Sequence, residues 1–366
     1  SVTGAGNNIL VSGVNGLYVP PFGDLCEQIE DIYTVDANQN NGDVQTTYDF
    51  LTTGVNGCEK LSPPTGFAVT GNTRVSAYGS MEWFSTLTLA NAAALTGETV
   101  LIYKDTTENL VAKNGVNYFG VGKKHLNAVD INSAKSDLTN LFITDLDVHG
   151  TNSECLATNV TITGSVDFGG NSKWQGGKFL DDSTYIVIAS SAQVSNIYSE
   201  KVINLIENGK LDNFKIVYAG TTDSALNINL SGTSSAVVTN GYVYAPNLTS
   251  GSPGATFAIL IDTSKLYIGN VFSDAVAARG MYLQCGDQDE ACSLHAINNT
   301  GRSVSNKGLV IAASKLPDVV GNASNMVVDH NTGISGSNNG IAMINGNLKR
   351  CTAYSETGDA MLIGGS

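Results

Sequence analysis

The residues best suited to chemistry in this sequence lie in the short run DLDVH, from Asp145 to His149. Read as a strand with Leu146 and Val148 turned inward, the run puts Asp145, Asp147 and His149 on one face. The two carboxylates then stand about 7 Å apart along the strand. Asp167, in VDF, follows Asp147 by twenty residues, at the equivalent place if the chain repeats with that period. Two carboxylates so spaced can act as general acid and base on a glycosidic bond, which makes Asp145, Asp147 and Asp167 the catalytic candidates. Asp, Asp and His together can also hold a divalent cation. The competing reading is a solvated acidic face, since a chain of net charge −14 must have several.

Other chemistry is thinly supplied. IYSE, VFSD and AYSE place Glu200, Asp274 and Glu356 at similar turn positions, where a carboxylate most simply caps a turn. Elimination on an acidic polysaccharide needs a basic residue and a cation or Arg to neutralise the uronate. From residue 81 onward the chain has only Arg279, Arg302 and Arg350, with none in an acidic cluster. No GxSxG, HExxH, phosphate loop or dinucleotide fingerprint is present, so no cofactor is implied. No CxxC or Cys/His spacing suggests a zinc site. Cys285 and Cys292 bracket GDQDEA and can pair in an oxidising environment; the alternative is a set of buried or free thiols.

Composition narrows the partners. Only 14% of the 366 residues are charged, against roughly 25% in an ordinary soluble domain, while Gly (40) and Asn (37) are abundant and Pro (7) is scarce. Gly and Asn tolerate left-handed backbone, so turns must be frequent and built without proline. A pI near 4.6 argues against nucleic acid. No window holds the roughly 18 apolar residues of a membrane span, and the first residues lack the basic-then-apolar layout of a signal peptide.

The elements that would position these groups are legible as a repeat. NTGRSVSNKGL, from Asn299, returns as NTGISGSNNGI from Asn331 with seven of eleven positions identical. Asn-led tetrads recur as NLFI (Asn140), NVTI (Asn159), NIYS (Asn196), NFKI (Asn213), NGYV (Asn240) and NVFS (Asn270). The 37-residue interval from Asn159 to Asn196 reads as two turns of about 18. A second apolar run follows each tetrad, as in LDV, VDF, MYL, LVI, IAM and MLI. Two-residue alternation in runs of four to six, bounded by Gly and Asn, fits a solenoid with two or three short strands per coil. Equivalent Asn residues about 4.8 Å apart can then hydrogen-bond along the stack. A copied segment follows, because each coil must match its neighbour.

In this register Leu141, Val160, Ile197, Phe214 and Val271 point inward. Phe142, Thr161, Tyr198, Lys215, Tyr242 and Phe272 point outward, with Tyr354 added if TAYS is a further copy. Exposed aromatics aligned along a rod have three readings. They stack on sugar rings, they bury against another subunit, or the register is off by one and they are core.

Residues 86–125 carry an alanine-rich segment at Leu89–Leu95 ended by Gly97, then the strand TVLIY, then NYFGVG. This order resembles the opening coils of right-handed parallel β-helix proteins, the superfamily of pectate-lyase-like enzymes and bacteriophage tailspikes. The resemblance spans residues 81–366 and implies an all-β, right-handed parallel β-helix with a short N-terminal cap helix. Residues 1–80, with acidic CEQIEDIYTVDANQNNGD and ILVSGVNGLYVPP, resemble short attachment segments of phage fibres and appendages. They are expected to form a small, partly irregular attachment or capping region. The implied function is a virion tailspike, tail fibre or appendage, homotrimeric, recognising host surface polysaccharide and joined to other virion proteins through residues 1–80. The alternatives are a glycan-degrading hydrolase or lyase on the same fold, virion-borne or secreted, and a bacterial adhesin.

Overall fold

The computed structural model describes residues 66–71, 81–181, 183–286, 292–313, 325–344 and 348–364. The expected attachment segments at 1–65 and 72–80 lie outside the described residues. Twenty-seven strands and a single helix make up the described part, and from residue 99 onward every strand-to-strand pairing is parallel except those to Phe67–Thr70.

One coil shows the plan. The strand Ser235–Ala245 turns a corner at Asn240 and so serves two stacks, and Thr256–Leu260 forms a third. The following coil repeats this with Lys265–Ala275 and Met281–Cys285, in register Val238↔Ile268, Tyr242↔Phe272 and Ala258↔Leu283. Three stacks of parallel strands therefore wind around one core, which makes the fold a parallel β-helix. The second apolar runs all fall in the third stack, where Met281, Leu309, Ile341 and Met361 lie one above another. Alternate side chains fill the interior: Leu146, Val166, Ile186, Ile203, Leu226 and Met281 are all buried. Each apolar side chain removed from water contributes about 1.5–3 kcal/mol, and the coil-to-coil stack makes this burial continuous.

The first coil is closed by local chemistry. Phe67–Thr70 pairs antiparallel with both Met81–Phe84 and Thr99–Ile102, occupying an edge that a solenoid would otherwise expose. The helix runs Leu87–Ala93, two residues earlier than the alanine-rich segment suggests. Thr86 sets its start by accepting from Leu89 N, and Glu108 accepts from Leu87 N and Thr88 N, satisfying three of the free amides of the first turn. Leu87 and Ala90 are the face it buries. Cys285 and Cys292 form a disulfide, while Cys155 and Cys351 are free thiols.

Candidate functional site

The corner between the first two stacks organises the outer surface. Asn140, Asn159, Asn196, Asn213, Asn240, Asn270 and Asn298 all adopt left-handed backbone, with φ between 47° and 58°. Asn is tolerated there because its short amide offers local hydrogen bonds in return for the steric cost. Asn159 Nδ2 donates to Asn140 Oδ1 at 2.9 Å, Asn270 to Asn240 at 3.1 Å and Asn298 to Asn270 at 2.7 Å; Asn213 likewise donates to Asn196. Asn240 turns instead to Asp212 Oδ1. His330 and Arg350 continue the left-handed corner without the amide.

Two residues past each corner stands the outward column. The register runs Phe142↔Thr161↔Lys178↔Tyr198↔Lys215↔Tyr242↔Phe272↔Thr300. The inward neighbours Leu141, Val160, Ile197, Phe214 and Val271 are all at most 4% exposed, so the off-by-one reading fails. Phe142 and Tyr242 are each 37% exposed, and Tyr198 and Phe272 are half-buried. Tyr242 and Phe272 stack with centroids 5.6 Å apart and planes 6° from parallel. Lysines interleave with the rings: Lys123 Nζ lies 4.1 Å from the Phe142 centroid and donates to Thr161 Oγ1, and Lys215 lies 5.7 Å from Tyr242. Burial and the nearby Lys178 lower the pKa of Lys123, as expected of cations crowded on one stripe.

Tyr354 does not join this column. It aligns with Ile334, Arg302 and Asp274, two residues further along the strand, and the column itself continues through Thr300, Thr332 and Thr352. The likeness of AYSE to IYSE is misleading because the corner before it is Arg350, so Thr352 takes the outward place. Glu200 and Asp274 fall in one row, but Glu356 is displaced by the same two residues.

The coil through Lys173–Phe179 is shorter at the corner. Ala157↔Gly176 and Thr161↔Lys178 are both in register, so one residue, Gly177, spans what three span in the coil before. Gly176 and Gly177 have φ of 92° and 91°, and a Cβ on Gly176 would stand 2.3 Å from Ala157 O. Gly177 leaves the interior place of Val160 and Ile197 empty. Trp174 fills it: fully buried, it donates Nε1–H to Gly176 O at 2.7 Å and packs on Phe168 and Phe179. Outside, the corner without a side chain opens a groove of about 460 Å³ lined by Asn159, Gly177, Lys178, Asn196, Tyr198 and Lys215. A second groove, of about 500 Å³, lies over the first stack, but its Lys135 and Lys173 are both bound to Glu154, at 2.7 and 2.8 Å.

The acidic candidates separate. Asp145 accepts from Ser165 N at 2.7 Å, a turn-capping contact. Asp147 and Asp167 are direct cross-coil neighbours, and Asp130 precedes them in the same row. Asp130 is missing from the sequence reading although VDI at Val129 has the same apolar-Asp-apolar spelling as LDV and VDF. His149 Nδ1 lies 3.0 Å from Asp147 Oδ1 and 3.6 Å from Asp130 Oδ1. Burial, and then the neighbouring Asp147, push the Asp167 pKa up. Among the described residues, no group of three or more His, Cys, Asp or Glu has an arrangement suited to a metal ion.

Comparison with protein-family models, curated proteins and solved structures gives no match for this chain.

Proposed function

We propose that this chain is a receptor-binding rod that recognises a surface polysaccharide along the outward column, in the setting its sequence resemblance implies: a virion tailspike, fibre or appendage. The observation that carries the reading is the column itself, in which the aromatics Phe142, Tyr198, Tyr242 and Phe272 share one row with the exposed lysines Lys178 and Lys215, while Thr161 in that row is buried. Sugar rings present a C–H face to aromatic planes and hydroxyls to lysine and asparagine, and the column offers both at the spacing of stacked strands. A subunit interface accounts for it less well, because Lys is depleted where chains bury against each other. Rigid strands hold the aromatic rings in place before any ligand arrives, which lowers the entropy cost of binding.

The test is titration calorimetry with host-surface polysaccharide fragments, comparing the native chain with Tyr242→Ala and Phe272→Ala. Truncating a ring that contacts the ligand is expected to weaken binding about tenfold. Unchanged affinity in both variants refutes the reading. Light scattering tests the proposed homotrimer, and a monomer at working concentration rejects it.

A second reading rests on Asp167, whose raised pKa beside Asp147 is the polarisation that acid catalysis of glycosidic cleavage uses. It predicts new reducing ends when the polysaccharide is incubated with the protein, and their loss in Asp167→Asn. Equal release by the variant removes Asp167 from consideration.

A further inference from the structure

At the interrupted corner a coil without a corner amide separates two asparagines. Asn159 gives its Nδ2 to Asn140, and Asn196 Oδ1 accepts from Asn213. The coil between them has Gly176 in the corner place, so Asn159 Oδ1 has no amide above it and Asn196 Nδ2 has none below. At four other steps of the corner these groups bond to each other, rung to rung, and at Asn240 the amide bonds to Asp212 instead. Here two asparagines, both fixed by left-handed backbone, line a groove spanning two rungs, about 10 Å.

The charge around that gap is unlike the rest of the chain. Lys178 and Lys215 flank Tyr198 on the outward column, and both are solvent-exposed. Among the described residues neither makes a salt bridge to a carboxylate, in contrast to Lys135 and Lys173 of the other groove. Two carboxylates stand nearby, each bonded to neutral donors: Asp212 accepts from Thr239 and Asn240, and Glu200 accepts from Tyr198 OH at 3.0 Å. On a protein of net charge −14, this is a cleft lined by two lysines and no carboxylate, with a tyrosine wall and a glycine floor.

We infer that the groove at Gly177 is a subsite for one carboxylate-bearing sugar of the polysaccharide. Lys178 and Lys215 meet the uronate carboxylate, Asn159 Oδ1 and Asn196 Nδ2 meet ring hydroxyls, and the ring lies against Tyr198. This rests on the glycan-binding reading of the column and adds the sugar class and the place. The floor is rigid, because Trp174 is packed beneath it with Cζ2 3.7 Å from where a Gly177 Cβ would be. A ligand seated in the groove therefore changes the surroundings of Trp174, and with Trp83→Phe this is the sole tryptophan in the chain.

The experiment titrates the Trp83→Phe protein with a hexasaccharide of alternating glucuronate and N-acetylglucosamine, and with its carboxyl-reduced form, following Trp174 emission and calorimetric heat. The expected result is binding of the acidic form with a shift in emission, and weaker binding of the reduced form. Lys178→Gln and Lys215→Gln are each expected to raise Kd about fivefold to tenfold, less at high salt. Phe272→Ala, outside the groove, serves as the column control. If both forms bind equally, or the lysine variants keep native affinity while Phe272→Ala loses it, the subsite is overturned and the column reading stands. If neither form binds, and no neutral oligosaccharide does, the column reading is overturned and the subsite with it.

Discussion

Asn331 is the residue through which the copied segment can be tested most directly. Its side chain is fully buried at the interior place that Val271 holds two coils earlier. Asn331 Oδ1 accepts from Asn299 N and Asn299 Nδ2, both at 2.9 Å, and Asn331 Nδ2 donates to Ala296 O at 2.7 Å and Asp329 O at 3.1 Å. Asn299 in turn accepts from Val271 N and donates to Ile268 O. Asn331→Ala leaves the Asn299 amide and the Ala296 carbonyl without these partners away from water, at about 1–3 kcal/mol each, so about 4 kcal/mol together. The exposed ladder differs: Asn270→Ala exchanges a bond that water replaces, and its cost is the left-handed backbone, about 1–2 kcal/mol. Asn270→Gly removes that cost and is expected to be near neutral. A stacked array opens locally, so the assay is native-state hydrogen exchange rather than a single melting curve. The amides of Val271, Asn299 and Thr332 are expected to exchange about 10³-fold faster in Asn331→Ala if they open below the global limit. Because Asn299 and Asn331 share bonds, the double alanine variant is expected to cost less than the sum of the singles. Should Asn331→Ala fall within 0.5 kcal/mol of Asn270→Gly, the account of the interior Asn pair is wrong.

Lys201 is fully buried and donates Nζ–H to Thr163 O and Asp181 O at 2.7 Å and to Thr184 Oγ1, tying successive turns together. Lys201→Met is expected to destabilise by about 2–4 kcal/mol in urea denaturation, because two carbonyls lose a charged donor. Hydrogen bonds and charge from Lys135 and Lys173 hold Glu154 down at about 2. That contribution is present above the ordinary carboxylate range and is lost as pH falls toward 2. Glu154→Gln should therefore flatten the fall in thermal midpoint between pH 5 and 2. Tyr118, buried and bonded to Asn91 Oδ1, is pushed up to about 12 by desolvation. Its contribution is full below pH 10 and is lost as pH rises through 12, so Tyr118→Phe should lessen the alkaline loss of stability seen by circular dichroism. Reducing the Cys285–Cys292 disulfide is expected to cost about 2.5 kcal/mol of local stability by releasing a short loop, measurable by exchange at Met281–Cys285.

Much of the architecture was legible in the order of residues alone. Asn at recurring intervals, two-residue alternation and a copied NTGxSxSN segment are sufficient to specify parallel coils, because each coil must match its neighbour in hydrogen bonding and side-chain volume. The repeated serine shows why: Ser303, Ser335 and Ser355 each accept from the amide three residues on, at Asn306, Asn338 and Gly358, and so close the same turn in three coils. The inward set also follows from alternation, as Leu141 shows, and so does most of the outward set; Thr161, expected outward, is buried beneath the Lys123 ammonium that donates to it. What alternation cannot carry is register between coils of unequal length. Tyr354 was misplaced because AYSE spells like IYSE while its corner residue is Arg350, and the groove was invisible because Gly176 and Gly177 read as one more glycine turn. Only the stacked coils show that this corner is two residues shorter than the one before it and carries no side chain, that Trp174 fills the vacant interior from below, and that a coil without a corner amide separates Asn159 from Asn196. Local sequence fixes which way a side chain points; the distance between coils, and so the shape of the surface, is decided by what the neighbouring coil happens to place opposite.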